Sequence, residues 1–234
     1  MCIRDRYEDE YLTAVNKPYN MPAHPSLGHK LDTVANALAY SYKGSTYVFR
    51  PVNRLDRDTS GCMLTANTKD ASYKLYSSMV NGDIHKTYIA MLDMAPAQRE
   101  GVIETYMHRR DNSIIEREVC SPDAHDAKPA VTKYRVICEK NGKCIAAAYP
   151  VTGRTHQIRV QFAHIGCPII GDSLYGREST DISRHALHSW RTSFPHPLDG
   201  REMKVTAPLP VDMVNLARSI GFDDINNILD KADI

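Results

Sequence analysis

Residues 53–61 read NRLDRDTSG, which sets Asp56 between Arg54 and Arg57 and ends in Thr59-Ser60-Gly61. In an extended segment, residues two apart share a face, so Arg54 and Asp56 point the same way. A guanidinium beside a carboxylate favours the charged form and lowers its pKa. A carboxylate held in that state can act as a nucleophile. The Thr-Ser-Gly that follows permits a tight turn, since Gly61 reaches backbone angles that other residues resist. The same residues also fit a solvated ion pair beside a turn, which is common on protein surfaces and contributes little.

Two further segments bear on that choice. TGRTHQIRV brings Arg154, His156 and Arg159 to the start of an expected helix. Arg159 lies about 100° around that helix from Ile158, at the edge of its apolar stripe. A guanidinium there can reach into a cleft as a second partner for Asp56, or it is an ordinary helix arginine. His156 fits a phosphate contact or a role at the helix N-terminus. In KTYIA, Tyr88 sits in mid-strand on the face that also carries Ala90. A tyrosine there can stack on a nucleic-acid base or simply fill the core.

These residues need a scaffold, and the hydrophobic pattern supplies one. A short strand is expected at Leu12–Val15, and a helix follows from DTVANALAYSY with Asp32 as its N-cap. TYVFRPVNRLD reads as strand and loop, and CMLTAN as a strand leaving the Thr-Ser-Gly turn. Ala71, Leu75 and Met79 recur at helical spacing in a segment that ends at Asn81-Gly82. HKTYIAML is a strand. AVTKYRVICEKNGKCIAAAYPV is a hairpin turning at Asn141-Gly142, a strong local hairpin cue. Ile158, Phe162 and Ile165 mark one face of a helix that stops at Gly166. CPIIGDSLYG is a loop, REMKVTAPLP a strand and VDMVNLARSIG a surface helix. Without strict βαβ alternation the pattern favours an α+β fold with a mixed, largely antiparallel sheet and flanking helices. The whole of 1–234 reads as one catalytic domain. The opening MCIRDR reads as foreign to the native chain, and residues 211–234 as an acidic C-terminal tail.

Composition narrows the class further. A chain of 234 residues with 42% hydrophobic and 24% charged residues is ordinary for a globular protein. No apolar run approaches the ~20 residues of a membrane helix, and no secretory h-region opens the chain. Cys2, Cys62, Cys120, Cys138, Cys144 and Cys167 form no CxxC and read as free thiols in a reducing cytoplasm. His185 and His188 lack a third ligand at metal-binding spacing, so no metal is expected. The net charge is +1; residues 211–234 carry −3 and the rest +4. An acidic end can mask a more basic body.

NRLDRDTSG, KTYIAML and PVTGRTHQIRVQFAHIGCPIIGDSLYG, in this order, resemble the RluA-type family of RNA pseudouridine synthases. VNKPYNMPAHP, KPAVTKYRV and ALHSWRTSFPHP resemble flanking family segments, so the likeness runs from about Tyr11 to Pro210. The resemblance implies the pseudouridine synthase fold with a central catalytic cleft. It implies isomerisation of uridine to pseudouridine in structured RNA, with ribosomal RNA of the large subunit ahead of tRNA as substrate. Asp56 would be the catalytic aspartate, Arg159 its partner, and Tyr88 the ring that stacks on the uracil and later accepts a proton. Arg54 would help flip the uridine, Lys86 would border the site, and Arg57, Arg154 and His156 would meet RNA. Two departures stand out: Asn53 replaces the usual histidine, and TANT replaces the commoner Ala-Lys-Asn. No S4-type RNA-binding module is present in the chain. RNA is the expected partner, with no membrane and no protein partner, and the protein is expected to be a monomer.

The chemistry suits such residues. Breaking the N1–C1′ bond, turning the uracil and joining C5 to C1′ requires a flipped base, an ionised carboxylate in a dry cleft and a base for the C5 proton. No redox change or phosphoryl transfer occurs, so no cofactor is expected. A nucleoside or glycoside hydrolase would need a second carboxylate flanking the bond. The candidates are Asp58 and Asp172, and Asp172 in GDSLYG reads as a turn or helix-contact residue. A silent RNA-binding relative would more simply have lost Asp56.

Overall fold

The structure is a computed structural model that describes residues 4–43, 46–232 and 234. These residues fall into two compact units: one runs to Lys86 and adds His188–Pro208, the other holds Thr87–Leu187 and the residues from Leu209. Among the described residues are ten strands and five helices, and the α+β expectation holds.

The first unit is built on β1 (Arg4–Glu8), β2 (Leu12–Lys17), β3 (Ser60–Ala66), β9 (Leu187–Pro195) and β10 (Glu202–Thr206). They lie in the order β1-β2-β3-β9-β10. All neighbours are antiparallel except β3 and β9, which pair in parallel at Ser60–His188 and Gly61–Ser189. β2 and β3 are buried on nearly every residue, so their sequences read as apolar runs and not as alternations. Helix α2 (Lys69–Asn81) starts at Thr68, whose side chain accepts from the Ala71 amide, and ends at Gly82 in the left-handed region. It lays Ala71 and Leu75 on a core with Leu12, Leu64, Phe194 and Val205.

Several expectations are corrected here. β2 runs two residues beyond Val15, and Arg4–Glu8 forms a strand ahead of it. Helix α1 (Val34–Ser41) is capped by Thr33 and not by Asp32, with a reciprocal capping box to Asn36. Asp32 instead accepts from His29. Residues 46–58 hold no regular strand; the segment runs beside β3 through the Val52 amide to Leu64 and the Ala66 amide to Arg50.

The second unit carries β4 (His85–Leu92), β5 (Glu100–Arg109), β6 (Arg117–Cys120), β7 (Lys128–Lys140) and β8 (Lys143–Pro150). Their order is β4-β8-β7-β5-β6, antiparallel throughout. The β7–β8 hairpin turns at Asn141 (φ 53°) and Gly142 (φ 76°), the two positive angles that a two-residue type I′ loop needs. Helix α3 (Gln157–His164) is buried on six of its eight residues. It has no single apolar stripe, because its polar side chains are also taken in. Gln161 donates to the carbonyls of Ile103 and Ala130 and to the Thr105 hydroxyl. In place of the expected acidic tail, two packed helices lie within residues 211–231. α4 (Val211–Ile220) buries Met213, Leu216, Ala217 and Ile220, and α5 (Ile225–Lys231) buries Ile225 and Leu229.

Candidate active site

Asp56 sits on an irregular loop, and the first unit fixes that loop from below. Asn53 holds its start, with Oδ1 accepting from the Leu64 amide at 2.8 Å and Nδ2 donating to the Cys62 carbonyl at 3.4 Å. The asparagine that replaces histidine is thus a clamp onto the β3 backbone. The Thr59 amide donates to the Asp56 carbonyl, closing a turn. At the far end Gly61 has φ 115°, and a Cβ there would be driven into the Ser189 carbonyl. Only glycine lets β3 approach β9 this closely. Ser60 bonds its hydroxyl to Nδ1 of buried His188 at 2.8 Å, and Nε2 of that ring donates to the Ala207 carbonyl at 3.0 Å. Both ring nitrogens of His188 are therefore committed to protein groups.

The middle of the loop rests on Lys17, which the sequence reading passed over. Lys17 closes β2 directly opposite Gly61 and is fully buried. Its ammonium donates to the carbonyls of Pro18 (2.8 Å), Met21 (2.8 Å) and Arg57 (2.9 Å). The Met21 amide adds a second bond to the Arg57 carbonyl. A buried ammonium needs such a set of acceptors, and here it ties the residue after Asp56 to the core. The Lys17-Pro18 pair carried the only signal in the sequence, and it reads there as a strand end.

Asp56 itself is half-buried, while Arg54 and Arg57 are exposed. Arg57 is engaged by its neighbour, with Nη2 3.0 Å from Asp58 Oδ2. The loop thus sets two carboxylates partly into the surface, Asp56 and the Arg57-paired Asp58, and leaves Arg54 and Arg57 exposed.

In the second unit, Tyr88 lies in mid-β4 at 8% exposure, opposite Ala148 on β8. The next pair on that face is Ala90 with Ala146, so small side chains border the tyrosine ring. Lys86, near the start of β4 and the last residue of the first unit before the chain passes into the second, is half-buried, and burial pushes its ammonium pKa down.

Arg159 is buried and makes a bidentate pair with Asp172: Nε to Oδ2 and Nη2 to Oδ1, both 2.7 Å. Asp172 also accepts from the amides of Leu174 and Tyr175, so it is both turn and helix contact, as GDSLYG suggests. Burial works to raise its carboxyl pKa. The Arg159 guanidinium, His185 and the Leu174 amide outweigh that and hold it below the usual range. Tyr175 then joins three parts of the unit. Its ring lies 5.0 Å from the Arg159 guanidinium carbon, its hydroxyl meets His156 Nδ1 at 2.8 Å, and it accepts from the Arg117 amide at 2.9 Å. His156 is the N-cap residue of α3 and sits at φ 58°, an uncommon backbone for a non-glycine residue. Arg154 is exposed and donates Nε to the Pro129 carbonyl. Buried Gln157 fixes the turn before α3, accepting from the Thr152 hydroxyl and the Arg154 amide and donating to Val131 and Thr132.

The first unit carries a half-buried carboxylate on an anchored loop, and the second carries a buried tyrosine and a buried arginine paired with Asp172. The RNA pseudouridylate synthase family model matches residues 11–164. A Bacillus subtilis (strain 168) protein described as an uncharacterized RNA pseudouridine synthase, YjbO, is 40% identical over 214 residues, covering 91% of this chain and 74% of its own. A ribosomal large subunit pseudouridine synthase D of Zymomonas mobilis is 33% identical over 235 residues, covering 94% and 73%. Human RNA pseudouridylate synthase domain containing 4 superposes with a TM-score of 0.75 at 23% identity, covering 92% of both chains, which is a likeness of fold. The chain belongs to the RluA-type family of RNA pseudouridine synthases and is an isomerase that acts on uridines in RNA. Among the described residues, no helix is long and apolar enough to cross a membrane.

Proposed function

We propose that this isomerase converts uridines of large-subunit ribosomal RNA to pseudouridine, with Asp56 as the catalytic carboxylate. The observation that carries the catalytic assignment is the loop itself. Asn53, Lys17, Ser60 and Gly61 anchor it to the core, and it presents Asp56 half-buried, beside Asp58, which pairs with Arg57. Such fixation keeps a reacting group in one geometry without reorganisation at the moment of reaction. Support for the ribosomal substrate comes from relatives named as large-subunit synthases, at 32–34% identity.

In this reading the target uridine leaves the RNA stack, at a cost of about a few kcal/mol. Arg54, exposed on the loop, takes part in flipping it. Tyr88 supplies the flat ring for the uracil and later the base that accepts the C5 proton. Arg159 favours the ionised form of Asp56, and Asp172 keeps that guanidinium in one orientation. Lys86, Arg57, Arg154 and His156 meet RNA around the target. The chain works as one catalytic domain and as a monomer, in the cytoplasm, without a cofactor.

The substrate test compares unmodified transcripts of large-subunit ribosomal RNA and of tRNA, each labelled with tritium at uridine C5. Release from the ribosomal transcript and not from tRNA is expected, and the reverse would reassign the substrate. Arg159 is tested by the pH profile of the reaction. Arg159→Ala is expected to lower the rate and to raise the apparent pKa of activity, because a cation stabilises the carboxylate form. An unchanged profile would remove Arg159 from that role.

A further inference from the structure

At one end of the second unit, β5, β6 and β7 enclose an open groove of about 1020 Å³. The strand register decides which side chains face it. Arg109 on β5 stands directly opposite Arg117 on β6, and Met107, two residues earlier, stands opposite both Val119 and Lys128. Directly opposed residues, and residues two apart, share a sheet face. Arg109, Arg117 and Lys128 therefore extend the face on which Met107, Ala130 and Val119 pack against Val160 and Tyr175. Past that packed patch the face turns from apolar to cationic. Arg154, on the turn before α3, lines the same groove.

The basic residues that line the groove are not alike. His108 meets Glu118 at 3.1 Å and Arg110 meets Glu116 at 2.6 Å, so these two have carboxylates. Arg109 and Arg117 instead oppose each other, and like charges directly across a ladder are destabilising. Among the described residues, Arg109, Arg117, Lys128 and Arg154 make no ion pair with a carboxylate. Asp111 and Asp126 also line the groove, and against them these four cations leave a net of +2, while the whole chain carries +1. A concentration of unpaired cations that weakens the fold fits an anion that arrives from outside.

We propose that this groove binds the sugar-phosphate backbone of the substrate RNA beside the target uridine. The inference rests on the reading of the chain as an enzyme of structured RNA. The groove is continuous with the catalytic residues of its own unit: the Arg117 amide holds the Tyr175 hydroxyl, whose ring faces Arg159, and Arg154 precedes His156 by two positions. RNA backbone seated on Arg109, Arg117 and Lys128 is thereby registered against α3. Phosphate contacts give position and affinity without reading sequence.

The test measures binding of the full chain to a fluorescein-labelled RNA stem-loop over a series of KCl concentrations, beside tritium release from the ribosomal transcript. In Arg109→Gln/Lys128→Gln, the slope of log Kd against log salt is expected to fall by about 1.4, at roughly 0.7 per lost phosphate contact. The loss of activity is expected in KM. The control, Lys69→Gln/Lys204→Gln, removes two exposed lysines of the first unit and is expected to keep the wild-type slope. An equal fall in the control would mean diffuse attraction to any cation and would overturn the groove. Arg109→Glu gives a sharper reading, because it creates an opposite-charge pair with Arg117. It is expected to raise the melting temperature while weakening RNA binding; undiminished binding by that variant would overturn the proposal. Should the double variant fold poorly, Lys128→Gln alone carries the same slope test, at half the size. A changed slope together with an active Asp56→Asn enzyme would sink the Asp56 assignment and leave the groove standing. An unchanged slope and KM, in an enzyme that Asp56→Asn silences, would do the reverse.

Discussion

Replacing Lys17 by methionine would keep the length of the side chain and remove its charge and its donors. The carbonyls of Pro18, Met21 and Arg57 would lose a partner; the bond to Met21 is buried, the other two are part-buried, and the Arg57 carbonyl keeps the Met21 amide. A buried polar group left unsatisfied costs about 1–3 kcal/mol, so Lys17→Met is expected to destabilise the protein by on the order of 2 kcal/mol. Urea unfolding measures this, and a loss below about 1 kcal/mol would show that the three bonds are not a strong tie. Activity at a temperature where the variant stays folded is expected to fall as well, since the Arg57 carbonyl follows Asp56 directly. The candidate residues of this loop stand out in the sequence by their types: a carboxylate among guanidiniums, then a glycine. Lys17 does not, since a lysine before a proline reads as a solvated strand end. Its burial depends on carbonyls that converge only when β2 and the loop are folded together.

At the scale of elements, the joints that hold strands and helices in place give the sharpest tests. Gly61→Ala would put a methyl group into the Ser189 backbone, at a φ of 115° that alanine resists. A loss above about 2 kcal/mol is expected, with β3 and β9 forced apart. A variant as stable as the wild type would contradict the parallel pairing drawn here. The Arg159–Asp172 pair joins α3 to the loop after it. Asp172→Asn leaves a buried guanidinium without its anion, expected to cost about 3–5 kcal/mol at neutral pH. The sign of its pH dependence follows from the lowered carboxyl pKa. The stabilisation is fully present above the unfolded value of 3.8 and is lost as pH falls through the lower folded value. Denaturant titrations between neutral and acid pH should therefore show a steeper acid loss in the wild type than in Asp172→Asn; parallel curves would remove this pair from acid denaturation.

Strands and helices with a strong local code were readable. The Asn141-Gly142 hairpin and the α2 helix with its Gly82 stop appear as the pattern specified. β5 gave no clear alternation in its sequence, because apolar Val102 and Tyr106 lie on its exposed face while Ile103 and Met107 lie on its buried one. The burial of α3 on nearly all sides was hidden for the opposite reason. Gln157, Arg159 and Gln161 look like a solvent face, and only their hydrogen bonds to the neighbouring strands and loop make that burial affordable.

For the molecule as a whole, a net charge of +1 looks unsuited to binding a polyanion. Distribution resolves this. The groove at the end of β5–β7 gathers unpaired cations, while the acidic residues of 211–234 sit with two packed helices. Charge totals read from a sequence average over such segregation, so the likeness to RNA-modifying enzymes was legible in the motifs and not in the composition. Both units contribute residues to the proposed reaction, the first Asp56 and the second Tyr88 and Arg159. The most direct measurement is tritium release from C5-labelled large-subunit ribosomal RNA by the wild type and by Asp56→Asn, with RNA affinity measured on the same samples. The account predicts release by the wild type and none by the variant, at similar affinity. Comparable release by Asp56→Asn would contradict it, and the carboxylate on the loop would then be a structural charge and not the reacting group.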